Sequence, residues 1–126
     1  MTGEAALEPI RQHIAAEVEN DVEKTMATVT EDFAYEVVAQ KRTMHGRAEA
    51  AAFHRQWWNA FRLVEANILQ HWLLADHVIV EVETVQERIG AGDPAAGQVT
   101  RGRAIAVFTV RDGKVASEVV YSNRRD

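Results

Sequence analysis

Apolar residues near the N-terminus recur at spacings of three and four. Leu7, Ile10, Ile14 and Val18 form one stripe on a helix of about four turns. Asn20 and Asp21 end that stripe, and either can cap a second, shorter helix in which Val22, Met26 and Val29 face inward. Glu31-Asp32 turns the chain outward before a strand from Phe33 to Val38. Gly46 opens a third helix. Its stripe of Ala50, Phe53, Trp57 and Phe61 is the heaviest aromatic face in the chain, with His54 and Trp58 alongside. From Val64 to Leu74 and from His77 to Arg88 the period falls to two, the mark of strands, with Val78, Val80 and Val82 on one face and Ile79, Glu81 and Glu83 on the other. Residues Gly90 to Gly97 form the loop before two more strands, Val99 to Val110 and Val115 to Ser122, which flank the hairpin signal Asp112-Gly113.

Helices first and strands after predict an α+β architecture rather than alternating βαβ units. A helical hairpin, a third helix and a long curved antiparallel meander of four or five strands close into a cone with one apolar mouth. The chain shows no internal repeat, low-complexity tract or linker, and 126 residues suit a single domain spanning 1–126.

Composition narrows the partners. Hydrophobic residues at 47% are enough for a real core. A net charge of −5 opposes attraction to phosphate backbones and anionic lipid, so neither nucleic acid nor a membrane surface is expected as a partner. No apolar run approaches the ~18 residues of a membrane span, and MTGEAALEPI lacks a basic segment followed by a hydrophobic one, so a cytoplasmic protein is expected. The absence of cysteine removes thiolate chemistry and disulfides. His45, His54, His71 and His77 show no HxH, HxxxH or HExxH spacing, so no metal site is expected. The glycines of the 90–97 loop precede no helix and so build no phosphate cradle.

Four blocks, NDVEKTMATVTEDFAYEVV, MHGRAEAAAFHRQWW, ADHVIVEVETV and AVFTVRDGKVASEVVYSN, together resemble the nuclear-transport-factor-2-like superfamily, in particular its SnoaL-like polyketide cyclase and ketosteroid isomerase branches. The resemblance spans nearly the whole chain and rests on block order and spacing. It implies a cone-shaped (cystatin-like) α+β roll, a small-molecule pocket and a homodimer. The superfamily holds isomerases, cyclases, epoxide hydrolases and dehydratases beside noncatalytic domains, so fold alone does not choose the reaction. An ungapped comparison puts the isomerase general-base aspartate at Val37, its oxyanion tyrosine at His13 and its second oxyanion donor at Ala106. All three positions have changed, which argues against ketosteroid isomerase chemistry in its usual form. SnoaL-like proteins often carry a polar residue where Glu118 stands and an aspartate where Val120 stands.

The polar residues left on the inferred inner face are His13, Tyr35 and Glu118. A carboxylate in an apolar pocket has its pKa raised by desolvation and can exchange protons near neutrality, with an imidazole taking the complementary role. Glu118 and His13 are therefore the candidate acid–base pair. Tyr35, Val37, Phe53, Trp57, Val82, Ala106, Phe108, Val120 and Ser122 are the expected ligand-binding wall. Trp58 is expected over the mouth or against a second subunit.

The facing of Glu118 depends on the hairpin. In a two-residue Asp112-Gly113 turn, Arg111 pairs with Lys114, Ala106 lies opposite Val119, Glu118 points out, and Tyr121 replaces it inside. In a three-residue Arg111-Asp112-Gly113 loop with a bulge, Ala106 lies opposite Glu118 and both face in. The family spacing favours the second. On the outer face, Arg101 and Arg103 suit charge pairs with Glu81 and Glu83. Ile105 and Val107 share that face and predict a homodimer through the sheet.

The residues leave three readings. The first is a cofactor-independent enzyme acting by proton transfer on an apolar cyclic, carbonyl or epoxide-bearing substrate. The second is a noncatalytic binder of a small apolar molecule. The third is a dimerisation or accessory subunit whose cone is filled by Phe53, Trp57, Phe61 and Phe108.

Overall fold

The computed structural model describes residues 3–123, so the expected span of 1–126 extends past the described residues at both ends. After a 3-10 turn at Gly3–Ala6 come α1 (Leu7–Val18) and α2 (Val22–Met26), then β1 (Val29–Val37), a 3-10 turn at Val38–Gln40, β2 (Arg42–His45) and α3 (Gly46–Ala60). Four strands complete the chain: β3 (Phe61–Leu73), β4 (Val78–Arg88), β5 (Val99–Arg111) and β6 (Lys114–Ser122).

The helix ends follow local chemistry. The Asp21 side chain accepts from the Lys24 backbone N–H at 3.0 Å and caps α2. Asn20, in the left-handed region at φ 54°, ties the corner between α1 and α2 to β3: its amide donates to the Leu63 carbonyl at 2.9 Å and accepts the Leu63 N–H at 2.8 Å. A short polar side chain tolerates that backbone and still pairs with a neighbouring strand.

The sheet is six-stranded with the order β2-β1-β6-β5-β4-β3. It is mixed rather than wholly antiparallel, because β1 runs parallel to β6 while every other pairing is antiparallel. A hairpin cannot join parallel neighbours, so the whole excursion from β2 to β5 lies between these two strands. β2 is an element the hydrophobic pattern does not announce, since only Met44 of its four residues is buried. Phe61 leaves the helical stripe to start β3, three residues earlier than the alternation at Val64 suggests.

The hairpin combines features of both expected versions. Asp112 (φ 55°) and Gly113 (φ 75°) form a two-residue turn with Arg111 opposite Lys114, as two consecutive left-handed residues require. The expected three-residue loop is absent. A bulge follows instead: Val110 pairs with Val115 and Thr109 with Ser117, leaving Ala116 as the extra residue. It shifts the register by one, so Phe108 lies opposite Glu118 and Ala106 opposite Val120, and Glu118 faces inward. Tyr121 is on the outer side, 51% exposed.

Two inner rows then cross the sheet. Val78, Phe108, Glu118, Tyr35 and Met44 form one, and Val80, Ala106, Val120, Val37 and Arg42 the next. α1 and α3 pack over these rows, and Leu7, Ile10, Val29, Phe33, Val80, Phe108 and Val115 are almost wholly buried. The outer face carries the charge pairs expected there, Arg101 to Glu83 at 3.7 Å and Arg103 to Glu81 at 3.6 Å. No described helix is long and apolar enough to cross a membrane.

Candidate active site

α1 projects His13 and Glu17, one turn apart, toward the sheet. β6 brings Glu118 from the opposite wall and α3 brings His54. The four polar groups form a buried line: Glu118 Oε1 is 3.4 Å from His13 Nε2, His13 Nε2 is 3.8 Å from Glu17 Oε2, and Glu17 Oε2 is 3.2 Å from His54 Nε2. His13 and His54 have essentially no exposure.

The other nitrogen of each imidazole is committed. Thr28 donates its hydroxyl proton to the Thr25 carbonyl at 2.6 Å, so its oxygen accepts from His13 Nδ1 at 2.7 Å. His54 Nδ1 donates to the Ala50 carbonyl at 2.8 Å. Both rings therefore turn Nε2 toward carboxylates, and each such contact is favourable only with a proton between the two heavy atoms. His13 Nε2 and Glu118 Oε1 are buried without a well-aligned hydrogen-bond partner. Such a pair is costly as structure alone.

The electrostatics separate the two carboxylates. Burial would depress the His13 pKa, but Glu17 and Glu118 outweigh it and the imidazole is raised. Burial pushes Glu17 up, while His13 and His54 pull it below its ordinary value, so it is the fixed anion of the group. Glu118 is raised, by burial first and by the charge on Glu17 after, despite its contact with His13. Of the two carboxyl groups it is the one whose surroundings favour the protonated form.

Beside this cluster lies an open cavity of about 380 Å³ whose walls include Tyr35, Val37, Phe53, Trp57, Val120 and Ser122, six of the expected ligand-binding residues. Its volume does not fit a cone filled by the aromatic side chains named above. Val82, Ala106 and Phe108 do not line the cavity. They face inward as expected but are covered in the core, with Phe108 edge-on to the His13 ring at 6.3 Å. His13 and Glu118 do not line it either. Glu118 lies two residues before Val120 on β6, one inner row below the cavity wall, a step of roughly 7 Å along a strand.

Tyr35 bridges the two levels. It pairs with Glu118 across β1 and β6, stacks between Phe33 and His54 at 5.7 and 5.6 Å, and lines the cavity. Burial, then the charges of Glu118 and Glu17, hold its hydroxyl well above the usual phenol value, so it remains a neutral donor.

Glu17 and His54 are the members of the cluster that sequence reasoning left out. The signal was present, since His13 and Glu17 are four apart on one helix, but His54 reads only as a residue beside an aromatic stripe. Trp58, expected over the mouth or against a second subunit, is buried within the chain, its ring 5.0 Å from His54 and 5.5 Å from Trp57. Among the described residues no group of three or more His, Asp or Glu is arranged to hold a metal ion.

A cone of mixed sheet closed by helices, with a cavity on its inner face, defines the nuclear-transport-factor-2-like class of α+β folds. A family model of the SnoaL-like domain matches residues 10–118, and the chain belongs to that family. No curated protein matches it in sequence. Among solved structures it is similar to a candidate isomerase from Bacillus subtilis, with a TM-score of 0.81 at 21% identity over 95% of this chain and 87% of that one. A candidate polyketide cyclase from Pseudomonas putida KT2440 superposes with a TM-score of 0.76 at 26% identity over 100% and 95% of the two chains. A protein of ketosteroid isomerase-like fold from Catenulispora acidiphila, solved with trimethylamine, gives 0.77 at 17% identity over 96% and 86%.

Proposed function

We propose that this chain binds a small, largely apolar molecule in the cone cavity and moves a proton on it. Glu118 is the proton-exchanging group, His13 its partner, and Tyr35 a hydrogen-bond donor at the cavity wall. The isomerase and cyclase names carried by its structural neighbours belong to the same range of chemistry. The supporting observation is the contact of Glu118 Oε1 with His13 Nε2, both buried without aligned partners one row below an apolar cavity. Such a step needs only placed acid and base groups in a dry pocket. A noncatalytic binder is the second reading, favoured by the position of both groups behind the cavity wall rather than on it.

Titration with apolar cyclic ketones, epoxides and polyketide-like aromatics, followed by tryptophan fluorescence in wild type and Trp57→Phe, tests the cavity. A saturable response lost in Trp57→Phe supports an occupied site beside α3. Compounds that bind are then assayed for turnover, and binding without turnover across the panel favours the second reading.

The outer sheet face supports a homodimer. Trp72, Ile79, Val107 and Val119 lie in one cross-strand row over β3, β4, β5 and β6, and Tyr121 and Ile105 stand in the next. A continuous apolar row on the solvent side of a sheet is best covered by a second copy.

A further inference from the structure

We infer that the ligand of the cavity carries a carboxylate or an equivalent anionic oxygen, recognised by Arg42 at the mouth and by Gln86 deeper on the wall. This inference rests on the ligand cavity proposed above and adds the chemical class of its occupant.

Four polar side chains of the wall have donors to offer. Arg42, on β2 opposite Val37, lines the cavity with its guanidinium 5.0 Å over the Phe53 ring. That group has only donors to offer. Gln86 is 96% buried, and its Oε1 accepts the Trp57 indole N–H at 2.9 Å. Indole can only donate, so the Gln86 amide is fixed with oxygen toward Trp57 and NH₂ as its remaining polar end. The same logic orients Gln56, whose Oε1 faces the Arg42 Nη1 at 3.4 Å and whose amide nitrogen is the end left over. Tyr35 keeps its proton because burial and two carboxylates hold it on.

Four wall residues thus present N–H or O–H, and one bears a full positive charge. No ion pair joins Arg42 to a carboxylate among the described residues, although acidic side chains outnumber basic ones 19 to 14 in the chain. Its charge sits at the mouth of an apolar cavity, stacked on an aromatic face that fixes its plane. A planar guanidinium and an oriented amide on the wall of one cavity suit capture of a carboxylate, with the apolar body of the ligand running toward Val37 and Val120. The polar end of the ligand is then at the mouth and its apolar part nearest Glu118.

The test is a matched pair of probes, 2-naphthoate and the neutral ketone 2-acetylnaphthalene, titrated calorimetrically at pH 7.5 into wild type, Arg42→Gln and Gln86→Glu. Circular dichroism checks that each variant is folded. Wild type is expected to bind naphthoate about tenfold more tightly than the ketone. Arg42→Gln, at an exposed residue, should erase that preference. Gln86→Glu keeps an acceptor for Trp57 but turns a negative oxygen to the cavity, so it should weaken naphthoate more than the ketone. Equal wild-type affinity for the two probes, or a preference for naphthoate that survives both substitutions, overturns the inference and leaves the cavity reading standing. Failure of folded wild type to bind either probe overturns both.

Discussion

Glu17 and His54 stand 37 positions apart in the chain, and Oε2 of the one lies 3.2 Å from Nε2 of the other. The same oxygen is 3.8 Å from His13 Nε2, so one carboxylate serves two imidazoles and links the helix layer to the acid–base pair. Glu17→Gln removes the shared charge while keeping shape. Because the side chain retains 13% exposure, a loss of about 2–3 kcal/mol in denaturant unfolding is expected, below the range for a fully buried pair. A loss under about 0.5 kcal/mol, ordinary for a surface site, would show that the two histidines do not depend on it.

The shifts fix the sign of the pH dependence of stability. His13 is raised above 6.5, so its contribution is fully present below 6.5 and is lost as pH rises through its folded value. Glu17 is lowered from 4.5, so its contribution is present above 4.5 and is lost as pH falls through its folded value. Glu118, raised from 4.5, contributes fully below 4.5 and loses that contribution as pH rises from there through its folded value, opposite in sign to Glu17. His13 and Glu17 therefore both contribute fully between 4.5 and 6.5. In melting temperatures measured across pH, His13→Asn should flatten the fall above 6.5, and an unchanged alkaline limb would remove His13 as its cause.

Glu118→Gln is the direct test of proton exchange. It keeps the packing beside Phe108 and Tyr35 and removes the titratable proton. For any compound that wild type turns over, the rate should fall by about 10²-fold or more, with the dissociation constant within about twofold. Undiminished turnover would sink the assignment of Glu118.

Much of this arrangement was legible in residue order, and the limits were local. Period-two runs gave β4, β5 and β6, and the stripe of Leu7, Ile10 and Ile14 gave α1 with His13 on its buried side. The facing of Glu118 was readable only as a choice, because a turn and a bulge each change parity and the chain contains both. Ala116 carries no side-chain signal of its role as the extra residue. β2 stayed hidden because four residues with one buried side chain have no measurable period. Glu17 and His54 meet only in the tertiary fold, 37 positions apart in the chain. The depth of Val82, Ala106 and Phe108 was likewise out of reach, since parity tells which face a residue is on but not how far the cavity extends along it.

Gly113 isolates the turn from the bulge. Its φ is 75°, and a Cβ there would meet nothing within 4 Å, so Gly113→Ala tests backbone conformation without a clash. A loss of about 1–2 kcal/mol is expected from the left-handed position alone. The register beyond Ala116 should persist, since Phe108 and Glu118 are held by their own cross-strand contacts. Hydrogen exchange should therefore rise at Arg111 to Lys114 while protection at Glu118 is kept. A stability change near zero would mean the turn adopts another form in solution.

The proposed dimer makes a demand on Val107. This residue is central in the outer row, opposite Ile79 on one side and Val119 on the other, with Trp72 beyond Ile79 and 43% exposed. A guanidinium placed there by Val107→Arg would have to be desolvated against a second apolar row if two sheets meet face to face, a cost of several kcal/mol per dimer because symmetry introduces it twice. Within one chain the same side chain points to solvent and costs little folding stability. Sedimentation at micromolar concentration should find wild type as a dimer and Val107→Arg as a monomer with an unchanged circular dichroism spectrum. The His13 and Glu118 cluster lies on the opposite face of the sheet, so ligand binding by the monomeric variant should survive. Wild type sedimenting as a monomer would leave the Trp72 row without a second copy to cover it, and the dimer would have to be abandoned.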